Sequence, residues 1–124
     1  MATVELTQEN FESVMSKSPI IILDFWAPWC GPCKSFGPVF EAASKLHPDI
    51  VFGKINTEEQ QELAGMFGIR SIPTIAAFRD QIGVYMQPGA LPPKSFEDLI
   101  GQIKALDMNT VRQQMAEQET KAKA

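Results

Sequence analysis

The chain is poor in several features that define large classes of protein. Cysteine appears twice, histidine once, tyrosine once and tryptophan twice in 124 residues. Two cysteines three positions apart, Cys30 and Cys33, cannot staple a secreted scaffold; they suggest a metal or redox site in a reducing compartment. Basic residues are outnumbered, 11 Lys and Arg against 15 Asp and Glu, for a net charge of −4. A chain of that sign lacks the basic patch that grips a phosphate backbone, so nucleic acid is not an expected partner. No apolar run approaches the roughly 18 residues of a membrane span. The longest, Ile20 to Ala27, contains Asp24, and no membrane partner is expected. The first residues, Met-Ala-Thr-Val-Glu-Leu, show neither a charged start nor an apolar signal core. A cleaved secretion signal is therefore not expected, and a cytoplasmic location is.

What is present fits one globular domain. Hydrophobic residues at 44% and charged residues at 21% lie close to the globular average, which excludes wholesale disorder. Periodicity predicts a mixed α/β order. Thr3 to Leu6 reads as a short strand. Thr7 is placed to cap a helix carrying Phe11, Val14 and Met15. Ile20 to Ala27 is a continuous apolar run, the pattern of a strand buried on both faces. A helix from Cys30 to Leu46 carries Phe36, Val39, Phe40, Ala43 and Leu46 on one stripe; Pro38 should kink it by removing the bond to the Lys34 carbonyl. Ile50 to Ile55 is the next strand, parallel to the first by the βαβ rule. Thr57 and Gln60 form a capping-box pattern before Leu63, Met66 and Phe67, and Gly68 sits at a helix C′ position. Thr74 to Phe78 and Ile82 to Met86 predict a hairpin. Pattern alone makes the strand at 74 parallel to the buried pair. Pro92 and Pro93 lead into a helix with Phe96, Leu99, Ile100, Ile103 and Leu106 on one face. The division is residues 1–106 as a compact domain and 107–124 as a polar tail. That tail, thinly apolar at Met108, Val111 and Met115, predicts a short, weakly docked helix with a frayed end.

The chemistry concentrates at Trp29-Cys30-Gly31-Pro32-Cys33-Lys34. A buried strand ends at Ala27 and a helix begins at the cysteines, so Cys30 lies at a helix N-terminus. Free N–H groups and the helix dipole favour an anion there, and a thiolate is both an anion and the reactive form of cysteine. Cys33 follows one turn later, and Pro32 is tolerated in a first turn. The pair can cycle between dithiol and disulfide. Cys30 is expected to be exposed and Cys33 shielded. The competing readings are half a zinc site and a purely structural disulfide. Zinc needs about four ligands, and the chain offers no second cysteine pair and only His47, which reads as a solvated helix-end residue without a role. A disulfide over so short a loop adds little stability. Asp24, inside an apolar strand, is expected to be partly neutral because burial disfavours its charge. It is either satisfied structurally or a proton-transfer group for Cys33.

Phe25-Trp26-Ala27-Pro28-Trp29-Cys30-Gly31-Pro32-Cys33-Lys34 resembles the active-site segment of thioredoxins. Gly68-Ile69-Arg70-Ser71-Ile72-Pro73-Thr74 resembles the second signature of that family, and Gly89 matches a glycine after its last strand. The resemblance runs from about residue 3 to 106. It implies a thioredoxin fold, a mixed sheet of about five strands flanked by four helices, here with a C-terminal helical extension. It overrides the pattern reading by making the strands at 74 and 82 antiparallel to the buried pair. It implies that Cys30 is the nucleophile, that Cys33 resolves the mixed disulfide, that Asp24 moves the proton, and that Lys54 tunes Asp24. It also implies a cis Pro73, with the Ile72 backbone able to pair with an extended substrate. Trp29, Gly31, Pro32, Gly68 and Gly89 complete a substrate-binding surface with an apolar, uncharged rim. Asn56-Thr57, Pro92-Pro93 and the tail depart from the family.

The function implied is reduction of protein disulfides. No bound cofactor or metal is required beyond the redox-active Cys30–Cys33 disulfide. The resemblance implies an NADPH-linked thioredoxin reductase and disulfide-containing proteins as partners, and a monomer is expected. The rivals are a binding module that works through its tail, with incidental cysteines, and a net oxidant or isomerase, which needs a more oxidising compartment.

Overall fold

The computed structural model describes residues 3–123. The first two residues of the assigned domain and the last of the tail lie outside them. Five strands, β1 (Thr3–Glu5), β2 (Ile20–Trp26), β3 (Val51–Asn56), β4 (Thr74–Arg79) and β5 (Ile82–Pro88), form one sheet in the order β1-β3-β2-β4-β5. Five helices join or follow them: α1 (Phe11–Lys17), α2 (Gly31–Leu46), α3 (Gln61–Met66), α4 (Pro93–Ala105) and α5 (Met108–Lys123). β1, β3 and β2 are parallel, and β4 is antiparallel to β2. The family-derived orientation holds for β4. It fails for β5, which pairs antiparallel with β4 and so runs the same way as β2. A hairpin must reverse the chain, and Asp80 and Gln81, at φ 52° and 67°, supply the left-handed residues of a two-residue turn.

β2 is central and sorts the core. Alternation sends Ile21, Leu23 and Phe25 to one face, with Leu6, Ile55, Leu63 and the partly buried Phe11 and Phe67. Ile22 goes to the other, with Phe36 and Phe40 of α2, Phe52 of β3, and Phe96, Ile100 and Ile103 of α4. Thus α1 and α3 cover one face, and α2 and α4 the other. Asp24, two residues after Ile22, lies on the α2–α4 face. On that face Phe36 meets the Phe96 ring edge-on at 5.2 Å between centroids, and Phe40 meets Phe52 edge-on at 5.3 Å.

Several local expectations shift. Helix α1 starts at Phe11, with Asn10 as N-cap. Thr7 instead exchanges bonds with Asn10: its N–H donates to Asn10 Oδ1 at 2.7 Å, and its Oγ1 accepts from the Asn10 N–H at 3.4 Å. The capping box at Thr57 does not form, because the Thr57 hydroxyl donates to the Trp26 carbonyl at 3.1 Å. Asn56 Oδ1 accepts the Glu58 N–H at 3.0 Å and organises that turn. Met66 is exposed rather than packed. The end of α3 follows expectation. Gly68 has φ 64°, its N–H donates to the Gly65 carbonyl, and the Ile69 N–H reaches back to the Ala64 carbonyl, a Schellman turn that only a left-handed C′ residue allows. His47 is not a solvated end residue. Its Nε2 lies 2.8 Å from Glu97 Oε1, and Lys104 Nζ donates to its Nδ1 at 2.9 Å, tying the end of α2 to α4.

The tail is a longer helix than expected, but its docking is confined to its start. Met108 is buried, Asp107 accepts the Asn109 N–H at 3.0 Å, and Arg112 pairs with Asp80 at 3.2 Å. Beyond Val111, positions 112–120 are exposed. One buried methionine and a solvent-screened ion pair contribute about 2 kcal/mol together. Truncation after Leu106 should therefore leave a folded, redox-active protein with a modestly lowered denaturant midpoint. Loss of folding or of disulfide reduction in that variant would show the boundary at 106 to be wrong.

Candidate active site

The cysteine segment is built by the junction of β2 and α2. Cys30 is the N-cap of α2, in extended conformation at φ −85° and ψ 115°, and Gly31 and Pro32 start the helix. This places one free N–H of the first turn of α2 on the sulfur: the Cys33 N–H donates to Cys30 Sγ at 3.2 Å. The two cysteines are joined as a disulfide with Cα atoms 5.2 Å apart, within the ordinary range for such a bond. When the pair is reduced, the same N–H and the helix dipole stabilise negative charge on Cys30. Pro38 lies inside α2, so the Lys34 carbonyl loses its helical partner and the cysteine-bearing turn is set apart from the rest of the helix.

The expected contrast in exposure is absent. Cys30 is 4% exposed and Cys33 3%. Both sulfurs pack in a small cluster with Ala27, and Trp26 and Ile72 lie against it. Ile72 comes from a loop distant in sequence, which is why local reasoning overestimated the exposure of Cys30. The sulfurs differ instead in their partners. Cys30 Sγ receives the helix N–H and lies 3.7 Å from the Ile72 carbonyl oxygen.

The remaining candidates assemble unevenly. The Ile72–Pro73 bond is cis, and the Pro73 carbonyl accepts the Gly89 N–H at 2.7 Å, so Ile72, Pro73 and Gly89 stand together beside the disulfide. Gly31 and Pro32 are exposed at the helix start. Trp29 is 65% exposed. Its indole N–H donates to Glu58, a residue that sequence reasoning missed because nothing local marks it. Beside Trp29 lies a cavity of about 350 Å³ bounded by Thr57, Ile69, Arg70 and Ile72. The exposed Arg70 makes the rim charged, contrary to the expectation of an uncharged one. Gly68 shapes the turn leading to this wall but does not line it.

On the face of β2 that α2 and α4 cover, Asp24 is fully buried and neither carboxyl oxygen has a protein hydrogen-bond partner. Burial pushes its pKa up from 3.8 to about 7, and the Lys54 ammonium pulls it back by a smaller amount. Parallel pairing sets Asp24 opposite Lys54. Lys54 is half-buried, with its Nζ 4.8 Å from the centre of the Trp26 ring. Among the described residues no cluster of three or more His, Cys, Asp or Glu is placed to hold a metal ion, and no helix is long and apolar enough to cross a membrane.

Comparison with known proteins points one way. The family model Thioredoxin matches residues 2–105. A Streptomyces coelicolor protein designated thioredoxin 2 is 54% identical over 121 residues, covering 98% of this chain and 90% of its own. Among solved structures, Plasmodium falciparum thioredoxin superposes with a TM-score of 0.75 at 33% identity, covering 81% of this chain and 98% of its own. A mutant thioredoxin of Halobacterium salinarum gives 0.78 at 31% identity, covering 85% and 93%.

Proposed function

The chain belongs to the thioredoxin family and is a thiol–disulfide oxidoreductase, and from that premise we propose that it acts as a reductant of protein disulfides in the cytoplasm, recharged by an NADPH-linked thioredoxin reductase. The observation that carries the direction of attack is the Cys33 N–H aimed at Cys30 Sγ, since it favours the thiolate on Cys30 over one on Cys33.

The Cys30 thiolate attacks one sulfur of a substrate disulfide, and the other substrate sulfur leaves as a thiolate that takes up a proton. The Cys33 thiol passes its proton to Asp24, then attacks Cys30 Sγ. The mixed disulfide breaks, the second substrate thiolate is released and protonated, and the Cys30–Cys33 disulfide remains. Two electrons pass to the substrate and two cysteines are oxidised. Lys54 lowers the pKa of Asp24 against the larger, opposite effect of burial. The Ile72 backbone pairs with the substrate chain in strand-like fashion, Trp29, Gly31, Pro32, Pro73 and Gly89 form the surface around it, and Gly68 shapes the turn that leads to it. Arg70 adds a positive charge to one wall.

A coupled assay tests this reading: NADPH consumption with a thioredoxin reductase and insulin as disulfide substrate. The reading expects consumption that depends on this protein. Consumption indistinguishable from that without it would overturn the reductant assignment. The rival reading, a binding module that acts through its tail, draws on one observation: most of α5 projects exposed beyond the family match. Equal turnover with and without residues 107–124 removes it.

A further inference from the structure

Leu46 belongs by spacing to the apolar stripe of α2, yet it is 68% exposed. A leucine left that far in water is carried at a cost. It closes a ridge of residues four apart, Pro38, Ala42 and Leu46, all exposed on the outer surface of α2. Clefts run along both sides of the ridge. One, of about 320 Å³, lies toward α4 and is walled by Pro93 and Phe96. The other, of about 520 Å³, is bounded by Glu41 and Lys45. A ridge of side chains four apart, set between two grooves, is the surface on which a second helix packs, and alanine at its centre lets that helix come close.

The charges decide which helix fits. Glu41 and Lys45 have the i, i+4 spacing of an ion pair on one helix. On α4 the same spacing does pair Lys94 with Asp98, at 3.3 Å. Among the described residues, Glu41 and Lys45 take part in no ion pair. Both lie on the same side of the ridge. A second α2, laid antiparallel across a two-fold axis at Ala42, keeps that side facing its own copy and reverses the direction. Glu41 of each chain then meets Lys45 of the other, and Leu46 of each comes over Pro38 of the other, between the clefts. An unrelated helix must supply both charges and the leucine in this order, whereas a second copy has them by symmetry. We propose that this face is a self-association surface, and that two chains dimerise through antiparallel α2 helices in place of the expected monomer. The contact is confined to a few turns of one helix and the edge of α4, so the dimer is weak and concentration-dependent. Cys30 lies about 18 Å along the helix from Ala42, so both disulfides stay open, at opposite ends of the pair.

Sedimentation of the full chain reads its mass from micromolar to millimolar concentration, in reductant so that no intermolecular disulfide contributes. The mass should rise from monomer toward dimer. Leu46→Glu should stay monomeric throughout. Glu41→Lys sets like charges together across the axis and should weaken association about tenfold. Adding Lys45→Glu to it restores opposite charges and should recover the wild-type association. Circular dichroism and insulin reduction should match the wild type in all three variants, because the substituted side chains lie on the outer surface of α2, away from the disulfide. A wild-type chain that stays monomeric at every concentration overturns the proposal. So does a dimer that Leu46→Glu leaves unaltered, or a charge reversal at Glu41 that Lys45→Glu does not rescue.

Discussion

Replacing Cys33 by Ser is expected to stop turnover with the substrate still attached to Cys30. The first exchange needs only the Cys30 thiolate, and the hydrogen bond from residue 33 to Cys30 Sγ comes from a backbone N–H that the substitution keeps. Attack therefore proceeds and the mixed disulfide forms. Nothing then attacks Cys30 Sγ, so the adduct persists. Replacing Cys30 by Ser should abolish reduction with no adduct, because the remaining Cys33 lies one turn inside α2 and does not receive the N–H bond that favours a thiolate on Cys30. Both variants should lose activity by on the order of a thousandfold or more, so rates alone cannot tell them apart. Mass spectrometry or non-reducing gels with a disulfide protein can. Trapping through Cys33 rather than Cys30 would reverse the role assignment, and trapping through neither would sink the enzymatic mechanism. A zinc site or an incidental pair predicts no adduct in either variant.

Asp24→Asn should make the protein more stable and a slower reductant. In the folded state the carboxyl binds its proton up to about pH 7, against 3.8 as the ordinary value. The folded state therefore holds more protons than the unfolded chain between those limits, and stability falls as pH rises through that window. Below it, both states are protonated and the penalty vanishes. Above it, a buried charge without hydrogen bonds is carried in full. A shift of about three units corresponds to roughly 4 kcal/mol. Asparagine keeps the shape and carries no charge, so the gain should appear at pH 8 and fade toward pH 4. Denaturant midpoints across that range measure it. The rate of reduction should fall roughly tenfold to a hundredfold near pH 7 and recover at higher pH, where Cys33 deprotonates without help. Stability and rate profiles that both match the wild type would show Asp24 to be idle.

Where local residues decide a structure, the sequence was readable. The apolar run around Asp24 becomes β2, buried on both faces, and the Phe36–Phe40–Ala43 stripe becomes the inner face of α2. Gly68 ends α3 as its position implied. Several misses share one cause, a partner far away in the chain. Thr57 has the right neighbours for a capping box, yet its hydroxyl goes to Trp26, 31 residues earlier. His47 looks like a solvated helix end until Glu97 and Lys104 arrive from α4. The burial of Cys30 depends on Ile72, and the charge on the rim depends on Arg70 beside it. The reactive segment was thus legible from its own residues, whereas its walls were not. The burial of Asp24 was legible because a carboxylate in an apolar strand is anomalous whatever surrounds it.

The two outer strands have a consequence for a protein whose proposed substrates are other polypeptides. Open strand edges template further pairing, and so nucleate aggregation. Here one edge strand, β1, spans only Thr3–Glu5, and the other, β5, ends at Pro88, which has no N–H to offer a neighbouring chain. Extended client segments that reach the sheet thus find little edge on which to stack.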